Sequence, residues 1–295
     1  MMQGSISPNR IANSIMQDSS FNGGHILVEG VSDVKLYKKM FNTSNAKIKV
    51  CFGRDNIEAI YEILLSRGYN KAIGIRDADF LRLDSLDYER SGIYLTDTHD
   101  SEGMIFKSDA FWNFIYEVIN EEVLSQFISR NGCLRTFIYN LAYPLGCLRY
   151  ANEKHSLGLS FKPEKPEGNK LRFKRFICER KSIYLGHDSL INTVVEYSKN
   201  RGSIISERPH INKVLTETIS KSFPHEEIVN GHDLAEIIFI VCKKLLKSTH
   251  TELTSSTSVE TMLRLTYSDK DFIKTELYKK LLAWQDEHGH CVLNY

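Results

Sequence analysis

The chain has 295 residues, 42% of them hydrophobic and 25% charged, with a formal net charge of +1. That balance excludes a disordered chain and describes a folded protein of one large or two ordinary domains. A near-zero charge also excludes a global field for nucleic acid or lipid, so any basic footprint must be local.

Six cysteines are scattered without C-x-x-C spacing, which argues against a zinc site or a disulfide framework. No apolar run approaches membrane-spanning length, and the N-terminal stretch lacks the apolar core of a secretory signal. The expectation is a cytoplasmic protein with no membrane association.

In chain order, Ser7-Pro8 predicts a helix N-cap followed by proline at the first helical position. Ile11 and Ile15 share a face of that helix, and the turn-rich Ser19–Gly24 closes an N-terminal segment, 1–20. Ile26, Leu27 and Val28 form a short apolar run ending in Glu29-Gly30, read as a buried strand and a sharp turn. Helical spacing of Val34, Tyr37 and Phe41 predicts a helix over Asp33–Phe41. Lys47–Phe52 predicts a second strand. Asp55 or Asn56 is the expected cap of a helix that buries Ile57, Ile60 and Leu64. Lys71–Ile75 is a third strand, running into Arg76-Asp77-Ala78-Asp79. Ile93–Leu95 is a fourth, followed by Thr98-His99-Asp100-Ser101-Glu102. Alternating strands and helices with short connections predict an α/β fold, a mostly parallel sheet flanked by helices, over 21–107.

The texture then changes. Residues 108–222 read as a mainly helical insertion, with helices over Ala110–Ile119, Glu121–Ile128 and His210–Ser222, a short strand over Leu157–Phe161 and an exposed loop over Lys162–Gly168. In 223–295, Ile228-Val229-Asn230 reads as a strand that either starts a turn at His232-Asp233 or returns to the sheet, carrying His232 with it. Helices over Leu234–Leu246, Val259–Tyr267 and Phe272–Trp284 close the chain, with a loop over Lys247–Ser256.

A carboxylate at the C-terminal lip of a buried strand is costly unless something uses it, and that lip is where open α/β sheets bind ligands. Asp77 and Asp79 lie two apart, a spacing that puts both on one face of an extended segment. If their strand neighbours the first, Glu29, Asp77 and Asp79 converge. A divalent cation relieves their repulsion, and hard oxygen donors suit Mg²⁺ or Mn²⁺. Asp33, one helical turn beyond Glu29, either joins them or caps its helix. Glu102 and His99 form a second tier at the same lip, each with a plainer role as a helix-start or loop residue. Arg76 pairs either with phosphate or with a carboxylate. Arg172, Lys174 and Arg175, interleaved with Phe173 and Phe176, form either a nucleic-acid-binding stretch or a solvated helix with a buried aromatic face.

A strand ending in Glu-Gly followed by a strand ending in Asp-x-Asp resembles the TOPRIM domain of topoisomerases, primases and certain nucleases. The fuller pattern is Val28-Glu29-Gly30-Val31-Ser32-Asp33, Gly74-Ile75-Arg76-Asp77-Ala78-Asp79-Phe80 and Thr98-His99-Asp100-Ser101-Glu102. It is similar to the AriB-like TOPRIM nuclease subunits of PARIS anti-phage defence systems. The resemblance implies Glu29, Asp77 and Asp79 as catalytic residues and Glu29, Asp33, Asp77 and Asp79 as ligands of two Mg²⁺ or Mn²⁺ ions. It further implies an ABC/SMC-like ATPase partner, a tRNA substrate and an active homodimer. A DNA-nicking TOPRIM nuclease and a non-catalytic metal-binding docking module remain alternatives.

Overall fold

The computed structural model describes residues 7–84, 88, 92–163, 168–199, 201 and 203–294. The chain divides into two compact units, 1–110 with 267–295, and 111–266.

The first unit is α/β. Its opening helix α1 (Pro8–Met16) starts as predicted, with the Ser7 side chain accepting from the Arg10 N–H. Then follow β1 (Gly24–Val28), α2 (Val31–Tyr37), β2 (Ala46–Val50), α3 (Arg54–Ser66), β3 (Ala72–Arg76), β4 (Ile93–Leu95) and α4 (Ser101–Lys107). The strands form one sheet in the order β2-β1-β3-β4 with every pair parallel. β1 and β3 are buried along their whole length, which is why each reads as an unbroken apolar run. Gly74 is needed in β3 because a Cβ there would stand 2.8 Å from Ile57 Cγ2 and 3.1 Å from Ile93 Cγ1.

The segment 1–20 is not separate. Ile11, Ala12 and Ile15 of α1 join Ile57, Ile60 and Leu64 of α3 in one buried cluster with Leu27. The helix α3 begins at Arg54 with Gly53 at its N-cap, two or three residues before the expected cap, Asp55 or Asn56. The Asn56 side chain instead donates to the carbonyls of Cys51 and Phe52.

The second unit is mainly helical: α5 (Ala110–Val118), α6 (Glu121–Asn131), α7 (Leu134–His155), a hairpin of β5 (Ile177–Cys178) and β6 (Ile183–Tyr184), α8 (His187–Ser198), α9 (Arg208–Ser220), α10 (His225–Ile228), α11 (Gly231–Ile240) and α12 (Ser256–Thr266). The sequence reading missed α7, whose 22 residues include Pro144. Leu157–Phe161 is not a strand. Its Leu159 N–H donates to Asn152 Oδ1 and its Ser160 N–H to Ser198 Oγ, so side chains satisfy its backbone. Of the expected loop Lys162–Gly168, residues 164–167 lie outside the described residues.

Ile228–Asn230 is not a strand either. Ile228 ends α10, and the Asn230 side chain accepts from the His232 N–H to cap α11. Its apolar residues are buried because α7 carries Gly146, where a Cβ would meet the Ile228 carbonyl oxygen at 2.5 Å.

The chain ends back in the first unit through α13 (Asp269–Phe272) and α14 (Glu276–His288), so the expected segment 223–295 is split near 266. The Asp97 carboxylate, after β4, accepts from the N–H groups of Glu276 at 2.7 Å and Leu277 at 2.8 Å. Leu293 bridges Phe41 in antiparallel fashion. Among the described residues no helix is long and apolar enough to cross a membrane.

Because Asp97 satisfies two N–H groups that a helix start leaves open, Asp97→Ala should cost about 1–2 kcal/mol of stability. Amide exchange should rise first in the opening turn of α14. Equal protection of that turn in both proteins would show that Asp97 does not hold it.

Candidate active site

The order β2-β1-β3-β4 sends the chain one way from β1 to β2 and the other way to β3. That reversal leaves a crevice beyond the carboxyl ends of β1 and β3, where open α/β sheets bind ligands. Glu29 follows β1 directly and Asp77 follows β3 directly.

The Asp77 backbone N–H donates to Glu29 Oε1 at 3.1 Å. Asp77 Oδ1 accepts from the Ser101 N–H at 3.2 Å, at the start of α4. The buried Ser101 hydroxyl lies 3.2 Å from Asp33 Oδ1 and 3.3 Å from Glu102 Oε2. Four carboxylates, Glu29, Asp33, Asp77 and Glu102, are thereby tied to one another through backbone and one serine. Asp33 also caps its own helix, its Oδ2 accepting from the Gly30 N–H at 2.8 Å. The capping reading of Asp33 is the observed one, and its other oxygen reaches the cluster through Ser101.

The electrostatics follow from this crowding. Burial, opposed by the Asp77 N–H and reinforced by the charges of Asp79 and Asp33, pushes Glu29 from its ordinary 4.5 up to about 7. Burial first, then Asp100, Glu29, Asp33 and Glu102, hold Asp77 well above the usual carboxylate range. The Tyr37 hydroxyl is fully buried and has no hydrogen-bond partner among the described residues. Its titration is raised by burial and by the charges of Asp33, Asp77 and Glu102.

Other expected residues take different positions. Asp79 does not share the Asp77 cluster's hydrogen bonds. Its φ of 47° takes the chain out of the extended conformation, so the two-residue spacing no longer aligns the carboxylates. Asp79 Oδ2 pairs instead with Arg54 Nη1 at 2.5 Å. Its backbone is clamped to His99: the Asp79 N–H donates to the His99 carbonyl at 2.8 Å, and His99 Nδ1 lies 3.0 Å from the Asp79 carbonyl. His99 is 3% exposed and its ring packs on Phe80, so it helps to hold the loop, the plainer of its two expected roles.

Arg76 has a carboxylate partner. It points into the first unit, pairs with Glu58 Oε1 at 2.5 Å and lies over the Tyr88 ring at 4.9 Å. Of its two sequence readings, the carboxylate partner is the observed one. His232 belongs to the second unit, where its Nδ1 lies 2.8 Å from Glu260 Oε1. No strand forms at 228–230 to carry it. Arg172, Lys174 and Arg175 are exposed on the second unit while Phe173 and Phe176 are buried, but the stretch is a single 3-10 turn over Phe173–Arg175 rather than the solvated helix of the alternative reading.

Sequence reasoning missed Ser101, Arg54, Tyr37 and Phe52. Ser101 stood inside a noted motif, but its link to Asp33 needed the fold. Phe52 follows β2 at the same end of the sheet, 49% exposed and with a φ of 61°, a conformation unusual for a bulky side chain. The next residue, Gly53, donates its N–H to the Glu29 carbonyl.

Among the described residues, no three or more His, Cys, Asp or Glu side chains are grouped tightly enough to hold an ion on their own. The fit to a hard divalent cation therefore rests on an oxygen-only donor set of repelling carboxylates beside an orphaned buried hydroxyl. A Mg²⁺ ion takes one or two carboxylates and leaves its remaining positions to water and phosphate. Compared with known proteins, the chain matches no family model, and no curated protein matches it in sequence.

The raised Glu29 value has a sign. A carboxyl whose value rises on folding stabilises the fold below its unfolded value, near 4.5, and loses that contribution as pH climbs through about 7. The shift corresponds to about 3 kcal/mol at most. In chelator, the wild type should lose more thermal stability than Glu29→Gln between pH 5 and pH 8, and Mg²⁺ should restore the wild type selectively. Parallel melting curves would remove Glu29 from the repelling cluster.

Proposed function

We propose that this chain is a divalent-metal-dependent endoribonuclease built on a TOPRIM-like α/β unit. It cleaves tRNA as the toxic effector of an anti-phage defence system, is held inactive by an ABC/SMC-like ATPase and acts as a homodimer. The observation that carries the reading is the meeting of Glu29 and Asp77 beyond β1 and β3, joined by the 3.1 Å hydrogen bond. Substrate, partner and oligomeric state follow from the motif resemblance alone.

In this reading Asp77 and Glu29 would hold the cation with water and phosphate completing it, Asp33 and Glu102 would stand at the margin, and Asp79 would contribute only on release from Arg54. When bound, a divalent ion supplies charge neutralisation at the scissile phosphate and a more acidic attacking water. The chain's own part is to position and to exchange a proton. Glu29, titrating near neutrality, suits general acid–base work at its Oε atoms. The Asp77 N–H orients it. Ser101 fixes the rotamers of Asp33 and Glu102 from between them.

The test is cleavage of tRNA and of duplex DNA by the purified chain, with Mg²⁺, Mn²⁺ or chelator. The expected result is Mg²⁺-dependent cutting of tRNA. Glu29→Gln and Asp77→Asn should each lower it by about a hundredfold or more, with the fold retained by circular dichroism. Undiminished cutting by Glu29→Gln would defeat the assignment. Nicked DNA beside intact tRNA would select the DNA-nicking alternative. Calorimetric Mg²⁺ binding without any cut nucleic acid would select the non-catalytic module.

A further inference from the structure

The second unit carries a groove of about 400 Å³ in which five of the nine lining residues are lysine or arginine. One wall comes from the stretch before β5, with Lys170, Arg172 and Arg175. The other comes from the end of α8 and the segment after it, with Tyr197, Lys199 and Arg201. Two contacts fix the walls. The Tyr197 hydroxyl donates to the Asn169 carbonyl at 2.8 Å, and the Arg201 guanidinium lies 4.0 Å from the centre of the Tyr197 ring. Arg201 also donates to the Lys162 carbonyl at 2.8 Å. Buried Phe173 and Phe176 anchor the first wall from beneath.

The charges in the groove are not balanced from within. Among the described residues lining it, the single carboxylate is Glu196, and it is already taken by Lys199 at 2.7 Å and Arg208 at 3.0 Å. The guanidinium groups of Arg172 and Arg175 make no ion pair or hydrogen bond among the described residues, and both are exposed. Like charges gathered in this way raise the energy of the free protein and are relieved by a polyanion. Planar guanidinium forks fit phosphate oxygens bidentately, and Tyr197 adds an aromatic edge.

We propose that this groove is a binding site for the phosphodiester backbone of RNA, with Arg172 and Arg175 as its main contacts and Lys170, Lys199 and Arg201 completing the track. Lys174, exposed but outside the lining, is not part of it. The proposal deepens the nuclease reading, on which it rests for the identity of the polyanion. Binding and cutting are therefore measured separately.

The experiment uses the full chain carrying Glu29→Gln, so that cleavage does not intervene, and follows fluorescence anisotropy of a labelled tRNA across a salt series. Arg172→Glu with Arg175→Glu should weaken binding by about tenfold or more and flatten the slope of log affinity against log salt by about 1.4. Lys213→Glu with Lys221→Glu, the same change of charge elsewhere on the same unit, should leave both nearly unchanged. Loss of affinity equal to that of this control overturns the proposal, because it reports net charge alone. Polyglutamate binding as tightly as RNA, with the same response to the double variant, also overturns it and assigns the groove to an acidic protein. RNA bound through the groove by a protein that never cuts would leave this proposal standing while the nuclease reading fell.

Discussion

The hydrogen bond from the Asp77 N–H to Glu29 joins the tips of two strands that the sheet order sets side by side. Much of the lip depends on it. β1 feeds β2 on one side and pairs with β3 on the other, so the ends of β1 and β3 open onto shared solvent. Carboxylates placed there repel, and burial sharpens the repulsion. Backbone donors hold them in place: Asp77 for Glu29, Ser101 for Asp77, Gly30 for Asp33. Main-chain N–H groups serve well here because their direction is set by the strands and helices, and no side-chain entropy opposes them.

The loop after β4 supplies the remaining rigidity. The Ala78 N–H donates to Thr96 Oγ1, Thr96 Oγ1 to the Thr98 carbonyl and Thr98 Oγ1 to the Asp100 carbonyl. Asp100 then accepts from the Gly103 N–H to cap α4. This ladder brings Ser101 up to Asp77 and leaves no room for a side chain at Gly103, where a Cβ would stand 2.7 Å from Thr98 Oγ1. The two units also divide the charge. Asp and Glu outnumber Lys and Arg in the unit that contains the lip, and the reverse holds in 111–266. A net charge of +1 conceals that opposition.

Much of the α/β unit was legible because its elements carry strong local signals. β1 and β3 are apolar runs ended by Glu29-Gly30 and by Arg76-Asp77, and α1 announces itself with Ser7-Pro8. The convergence of Glu29 and Asp77 needed only the assumption that their strands are neighbours, and they are. What failed depended on distant partners. Ile228–Asn230 has the apolar content of a strand, yet it is buried by close approach to Gly146, far away in sequence. Arg76 alternates correctly for β3, but nothing local identifies Glu58 and Tyr88 as its neighbours. Asp79 was aligned with Asp77 on the premise of an extended backbone, and a left-handed residue broke that premise. The helix α7 escaped because Pro144 and Gly146 mask its periodicity.

Phe52 bears on how this chain would drift under different pressures. An aromatic residue occupies a backbone conformation that glycine or asparagine adopts at lower energy, and half of its ring faces water. Selection for heat resistance alone would replace it. Selection that retains the ring is selection for what the ring touches, so the residue that survives at this position in evolving populations distinguishes a chain under functional constraint from one kept only for its fold.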